Sequence, residues 1–331
     1  MQKRALCFIG AGNHATSNIY PAALLAEAEI AAVATRHMET AQQALKRFGS
    51  GGRAYDSAKE LLARETCKNV AVIAQAEDAF PLVCQCLTAG KNVFTDKPLG
   101  LNTEEAKIAA ELAAEHNAVL MVGFMKRFAP VYRRLKALID GQEMGAVRSF
   151  RAVMAVDATA WNKTPEDFVF LVVIHYLDLI RHLFGEVAEL RGFASGAGSG
   201  LSQCISLRCE SGVIGTVSFE NRPAWSREYE SLEVTFENGF AQAEDINRLL
   251  LHRAAVSQPA PWRGLTECDE VWLPNAAPMS GTTRDLYLRG FAGELEHFLQ
   301  CCETGDQPCC SGEDNIKTTR LCERVLEQLR E

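Results

Sequence analysis

Lys97 and His175 are the two side chains in this sequence best suited to act on a polarised oxygen. Lys97 closes the run Gly90-Lys91-Asn92-Val93-Phe94-Thr95-Asp96-Lys97-Pro98, whose β-branched and aromatic residues read as a buried strand. The residue before a proline is kept out of the helical region, so Lys97 is expected to lie extended at the strand's carboxyl end. A cation fixed there can stabilise charge developing on a carbonyl or hydroxyl oxygen and lower the pKa of a neighbouring base. His175 follows the apolar run Phe168–Ile174, with Asp178 and His182 placed near the same helical face. An imidazole can take or return the proton of such an oxygen near neutral pH. The ordinary alternatives are a surface lysine before a loop proline and a histidine satisfied within a core.

A third pattern supplies a partner for these groups. Arg4 to Ile9 reads as a short strand, Gly10-Ala11-Gly12-Asn13-His14-Ala15 follows at once, and Thr16 to Ala28 reads as a helix with Pro21 inside it. A strand, a G-x-G-x-x-A turn and a helix place backbone N–H groups around a pyrophosphate. Gly10 permits the tight turn, Gly12 lets phosphates approach, and Ala15 lets helix and strand pack closely. At the end of the next strand, Ile30 to Ala34, stands Thr35-Arg36-His37 where an NAD-selective fold has an acid. A hydroxyl beside a guanidinium suits a 2′-phosphate, which favours NADP over NAD.

The elements that must position these residues alternate along the first part of the chain. Helices are expected at Glu39–Phe48, Ser57–Arg64 and Asp78–Ala89, and from Thr103; strands at Arg53–Tyr55, Asn69–Ile73 and Val119–Val122. This is a doubly wound, Rossmann-type α/β domain over residues 1–123. From Val147 the texture changes to longer, alternating strands, and residues 124–331 read as a second, α+β domain. Period-2 strands are expected at Val147–Asp157, Val187–Ser195, Gln203–Cys209, Val213–Asn221 and Glu228–Glu237, with a hairpin at Glu237-Asn238-Gly239-Phe240. One long buried helix runs from N-cap Thr164, through Pro165, to Gly185. Gly196 to Gly200 reads as a flexible loop, and Arg284–Cys302 and Gly312–Arg330 as closing helices that can pack back on the first domain.

With 331 residues, 47% hydrophobic content and a net charge of −8, the chain reads as an ordinary globular protein of two domains. The negative charge argues against nucleic-acid or anionic-membrane partners. Ala5 to Ile9 after Lys3-Arg4 is too short for a secretory apolar region, and the expected location is the cytoplasm. The 12 cysteines include the vicinal pairs Cys301-Cys302 and Cys309-Cys310 but no Cys-x-x-Cys, so reduced thiols and no metal site are expected.

Together the glycine turn, the Lys97 run and His175-Tyr176-Leu177-Asp178-Leu179-Ile180-Arg181-His182 resemble the glucose–fructose oxidoreductase, inositol dehydrogenase and rhizopine-catabolism superfamily (Gfo/Idh/MocA). Thr95-Asp96-Lys97-Pro98 is similar to its Glu-Lys-Pro motif with Asp for Glu. Met121-Val122-Gly123-Phe124-Met125-Lys126-Arg127-Phe128 is similar to the stretch carrying substrate and nicotinamide contacts in inositol dehydrogenases. The resemblance implies an NAD(P)-dependent oxidoreductase acting on a sugar, sugar derivative or cyclitol, whose second domain is built on an open, mostly antiparallel mixed sheet used to assemble a homodimer or homotetramer, and in which the Lys97–Pro98 bond can be cis. It assigns catalysis to Lys97 and His175. Gly10, Gly12, Asn13, His14, Thr35, Arg36, Ala74, Gln75, Asp96 and Lys97 are the cofactor-binding candidates. Met125, Lys126, Asp157, Trp161, Asn162 and Asp178 are the substrate-binding candidates. Two departures stand out: Leu171 occupies the position of the family's Asp four residues before the histidine, and Ile73-Ala74-Gln75-Ala76-Glu77-Asp78 lacks the usual Thr-Pro-Asn. Either Asp157 or Asp178 replaces the missing acid, or proton transfer relies on Lys97 and His175 alone, or the reaction differs from that of the family's dehydrogenases. The competing functions are a redox-assisted glycosidase or lyase that retains its NAD, and a non-catalytic nucleotide- or sugar-binding regulator.

Overall fold

The computed structural model describes residues 4–49, 51–197, 200–254, 269–275 and 284–330; Lys3 and Cys268 lie outside the described residues. The chain divides into two compact units, Met1–Phe128 with Gly281–Glu323, and Ala129–Ser280 with Arg324–Glu331. Among the described residues no helix is long and apolar enough to cross a membrane.

The first unit is built on β1 (Arg4–Ile9), β2 (Ala28–Ala34), β3 (Arg53–Tyr55), β4 (Asn69–Val72), β5 (Asn92–Asp96) and β6 (Leu120–Gly123). They form one parallel sheet in the order β3-β2-β1-β4-β5-β6, the order of a dinucleotide-binding fold. Leu6, Cys7, Phe8, Val70, Ala71, Val72, Val93 and Phe94 are fully buried, as a sheet covered by helices on both faces requires. The strand order reverses between β1 and β4, so ligand-binding loops belong at the carboxyl ends of these two strands and their neighbours.

Gly10 shows how tightly that edge is built. It has a φ of +108°, and a Cβ added to it would lie 2.0 Å from the Ile73 carbonyl oxygen. Its amide donates to Ala34 O at 2.9 Å, and Ile73 N donates to Ile9 O at 2.9 Å, so the turn is tied to β2 while β1 and β4 are tied to each other. The helix after it differs from the expected single helix Thr16–Ala28. Ala15–Ile19 is a π-turn in which Tyr20 N–H reaches back to Ala15 O, between the α-helical Asn13 and His14 before it and Tyr20–Leu25 after it. Pro21, which has no N–H to offer its own turn, sits where the two meet. β2 has already begun at Ala28.

The second unit carries β7 (Val147–Val156), β8 (Val187–Ala197), β9 (Gly200–Cys209), β10 (Ile214–Asn221), β11 (Tyr229–Phe236), β12 (Gly239–Glu244), β13 (Arg248–Arg253) and β14 (Glu270–Trp272). The sheet order is β14-β13-β12-β11-β7-β10-β9-β8. Only β7 and β10 pair in parallel; every other pairing is antiparallel. The hairpin at Glu237-Asn238 is present, with Phe236 opposite Gly239. Gly196 and Ala197 belong to β8 and Gly200 to β9, which corrects the expected loop; residues 198 and 199 lie outside the described residues. The long helix also differs in detail. Thr164 and Asp167 form a capping box before Pro165–Phe168, Val169–Val173 is a π-turn, and Ile174–Phe184 continues as α-helix to Gly185 at φ +91°. Gly290, at φ +94°, breaks the expected helix Arg284–Cys302 into Arg284–Leu288 and Phe291–Thr304.

Gly10 therefore carries a stability prediction. Gly10→Ala must push a methyl group into the Ile73 carbonyl at an unfavourable φ, and the expected cost is at least about 2 kcal/mol in denaturant or thermal unfolding. A melting curve matching the unsubstituted protein would show that the turn is not held as described.

Candidate active site

At the carboxyl edge of the first sheet the structure gathers most of the cofactor candidates. Gly10 and Gly12 form the turn after β1, and a Cβ on Gly12 would meet nothing within 4 Å. That space beside an exposed Asn13 and His14, at a helix start, is a cradle that a pyrophosphate fits. The turn is braced from beneath: Tyr20 Oη donates to Gly10 O at 3.0 Å, and the Tyr20 ring stacks on Phe8 at 3.9 Å between centroids. Thr35 and Arg36 stand at the end of β2, where Thr35 Oγ1 donates to His37 O at 2.6 Å. The Arg36 guanidinium is 83% exposed and lies 3.8 Å from the Asp78 carboxylate. Ala74 and Gln75 follow β4 and lead into the helix Ala76–Thr88.

Asp96 ends β5, and Lys97 follows it in a bend. An Asp96 carboxylate oxygen is 3.3 Å from His14 Nε2, which joins the β5 end to the glycine turn. Gly123 packs so closely on this corner that a Cβ there would lie 3.1 Å from the Phe94 ring and 3.2 Å from Asp96 Oδ1. The Lys97–Pro98 peptide is cis. Burial lowers the pKa of the Lys97 ammonium, and the Asp96 charge opposes that shift. The amine is thus easier to deprotonate than an exposed lysine, a property of groups that handle protons. After β6, Met125–Phe128 is a 3₁₀ turn in which Met125, Lys126 and Arg127 are all buried.

One residue of this edge escaped sequence reasoning. Glu294, on the helix Phe291–Thr304, is 1% exposed, and its Oε2 has no hydrogen-bond partner among the described residues. Burial first, and the Asp96 charge second, hold its carboxyl pKa well above the usual range. The available signal was an acid within the apolar stripe Phe291, Ala292, Leu295, Phe298 and Leu299.

The second unit holds the remaining candidates. His175 is half-buried in the first turn of the helix Ile174–Phe184, and Asp178 is buried one turn further on. Leu171 lies half-buried in the π-turn just before. Asp157 is exposed after β7 and accepts from Thr159 Oγ1 at 2.6 Å and from Thr159 N at 3.3 Å. Trp161 is 55% exposed, whereas Asn162 is fully buried with no partner for either atom of its amide among the described residues. The Asn162 loop is held by Asn162 N to Ala158 O at 2.9 Å and by Ala158 N to Asn221 Oδ1 at 2.8 Å. A groove of about 840 Å³ over Arg151, Leu190, Arg208, Ile214 and Gln328 contains none of the candidate residues.

A nucleotide-binding sheet with a lysine at its carboxyl edge, and a second unit built on a mixed sheet, define a two-domain dehydrogenase architecture. Comparison with known proteins agrees. Residues 5–124 match the oxidoreductase family with NAD-binding Rossmann fold, and residues 132–242 match the GFO/IDH/MocA C-terminal domain. The chain belongs to the Gfo/Idh/MocA oxidoreductases, nicotinamide-dependent dehydrogenases acting on CH–OH groups. It is 28% identical to a putative oxidoreductase, YceM, of Salmonella typhimurium, over 80% of this chain and 78% of that protein. It is 24% identical to an inositol 2-dehydrogenase of Rhizobium meliloti, over 92% and 91%. Among solved structures, a dehydrogenase from Chromobacterium violaceum superposes with a TM-score of 0.88 at 18% identity, covering 100% of this chain and 96% of that one. Levoglucosan dehydrogenase in complex with NADH and L-sorbose gives a TM-score of 0.85 at 17% identity, covering 100% and 97%.

Gly12 separates binding from stability. Because a methyl group there meets no protein atom, Gly12→Ala should leave unfolding free energy within about 0.5 kcal/mol. It should weaken dinucleotide binding by about tenfold or more, as read by titration calorimetry, because the methyl fills the space that phosphates need. Undiminished affinity would remove the turn from the coenzyme site.

Proposed function

We propose that this protein moves hydride between a nicotinamide coenzyme and a carbinol carbon of a sugar, sugar derivative or cyclitol, working as a homodimer or homotetramer. The observation that carries this reading is the placement of Lys97. It directly follows β5, two strands along from the glycine turn on β1, at the sheet edge where a bound dinucleotide would lie. When bound, the nicotinamide supplies the hydride acceptor or donor.

The chain's own residues supply the rest. In the oxidative direction Lys97 hydrogen-bonds the substrate hydroxyl and stabilises the negative charge that grows on its oxygen. His175 accepts the proton of that hydroxyl as general base, and returns it in the reductive direction. With Leu171 unable to orient the imidazole, Asp178 on the same helix is the acid we assign to support His175. Asp157 spends carboxylate capacity on Thr159 and is assigned to the substrate instead. Met125, Lys126, Trp161 and Asn162 complete the substrate residues in this reading. The buried Asn162 amide supports that assignment, because unpaired amide groups cost free energy until a ligand or water satisfies them.

Lys97→Ala should lower turnover by about 10²–10⁴-fold while dinucleotide binding survives. The alkaline limb of kcat/KM gives an independent reading. If the charged amine is required, activity falls as pH rises through a pKa lying below the ordinary lysine value of 10.5. Unchanged turnover in the variant, or a limb at or above 10.5 in the native enzyme, removes the Lys97 ammonium from the mechanism.

Coenzyme choice is assigned to Thr35 and Arg36, which favour a 2′-phosphate and hence NADP. The pairing of Arg36 with Asp78 is long and both side chains are largely exposed, which leaves the guanidinium able to turn to a phosphate. Titration should show tighter binding of NADP than of NAD, with Arg36→Ala weakening NADP about tenfold and changing NAD little. Tighter binding of NAD by the native protein contradicts the assignment.

A further inference from the structure

His14 holds an ionisable ring at the lip of the glycine turn. Thr16 N and Thr16 Oγ1 both donate to Gly12 O, at 2.9 and 3.0 Å, so Gly12 leads into the helix and His14 stands in its first turn. The side chain is 42% exposed, and its Nε2 lies 3.3 Å from the Asp96 carboxylate at the end of β5. Its Nδ1 is 3.1 Å from Asn18 Nδ2. An amide nitrogen donates, so Nδ1 accepts, and the hydrogen of the neutral ring sits on Nε2 and is given to Asp96. From the helix Phe291–Thr304, Phe291 meets the imidazole edge-on at 5.8 Å between centroids.

The charges near this ring come from more than one element. Asp96 supplies a carboxylate from β5, and Lys97 is next in the chain. Glu294 lies one turn beyond Phe291 on its helix, buried, with its carboxyl pKa raised by burial and then by the Asp96 charge. The Arg289 guanidinium is 5.1 Å from the centre of the Phe291 ring. A neutral His14 gives Asp96 a hydrogen bond but no charge, which leaves an anion beside a turn shaped to receive phosphates. A proton on His14 offsets that anion and sets a cation two residues from the open space at Gly12. The half-exposed Asn18 amide can then turn so that its oxygen accepts from Nδ1.

We propose that His14 makes coenzyme binding proton-linked: the dinucleotide binds more tightly when the His14–Asp96 pair carries an added proton. The inference rests on the reading of the glycine turn as the pyrophosphate cradle, which the NAD-binding family match over residues 5–124 supports. Its sign follows from charge. Phosphate favours the protonated ring, so binding takes up a proton, and the added affinity is present at low pH and lost as pH rises through the imidazole range.

The test is titration calorimetry of the intact protein with NAD⁺ at low ionic strength, at about pH 6 and about pH 8. NAD⁺ is the probe because a 2′-phosphate would itself titrate near neutrality. The native protein should bind it about three- to tenfold more tightly at the lower pH. His14→Gln keeps a donor for Asp96 but cannot titrate, and its affinity should change by less than about twofold over the same range. Binding heats in two buffers of different ionisation enthalpy should show net proton uptake by the native protein near neutral pH, a readout that needs no variant. No NAD⁺ binding at either pH would overturn the coenzyme reading and this inference together. Affinity that is the same at both pH values, net proton release, or a pH dependence that survives His14→Gln would each overturn this inference and leave the coenzyme reading standing.

Discussion

The close approach of Gly10 to the Ile73 carbonyl is the constraint on which the first unit depends. With 2.0 Å between a notional Cβ and that oxygen, only a hydrogen can stand there, and β1 and β4 are brought together at the reversal of strand order. The consequence reaches β5. Val70, Ala71 and Val72 of β4 register with Val93, Phe94 and Thr95, so the strand that ends in Asp96 is set by the one that touches the glycine turn. The contact between His14 and Asp96 closes the same circuit through side chains. The glycine turn and Asp96, with Lys97 next in the chain, are thereby held on one edge of the sheet.

That edge is electrostatically uneven. Burial weakens the proton affinity of Lys97 and strengthens that of Glu294, while Asp96 opposes the first shift and reinforces the second. A half-buried amine whose pKa is lowered and a buried acid whose pKa is raised are the two results expected when desolvation outweighs pairing. The second unit brings its histidine by other means. A capping box at Thr164 starts the helix, a π-turn interrupts it, and His175 follows at the point where α-helical bonding resumes. π-turns of this kind occur often at functional positions because they re-aim the residues beside them.

Much of this was legible in the residues. The six parallel strands and the glycine turn follow from local patterns, because buried parallel strands are apolar runs and Gly10-Ala11-Gly12 has few other uses between a strand and a helix. Thr164, Pro165 and Gly185 marked helix ends through capping chemistry confined to a few residues. What escaped was set by distant partners. The helix Pro130–Asp140, which buries Val131, Tyr132, Leu135 and Leu138, and the strands β12 to β14 were not expected. Gly290 looked like one more residue of a closing helix until its positive φ split it. Glu294 stood in an apolar helical stripe, but nothing local tied it to Asp96, and the two π-turns leave no sequence period to read. Arg127 shared a motif with Met125 and Lys126, yet its partners Cys309 and Asp314 lie some 180 residues away along the chain.

Transfer of an isotope tests the central claim most directly. A panel of cyclitols and sugars bearing deuterium on their carbinol carbons would be incubated with the protein and oxidised coenzyme, and the recovered nicotinamide examined by mass spectrometry and NMR. Deuterium at C4 of the reduced ring, delivered to one face, is the result the structure predicts. Coenzyme that binds but returns without deuterium across the panel, with substrates consumed or left untouched, would contradict a net hydride transfer at this site.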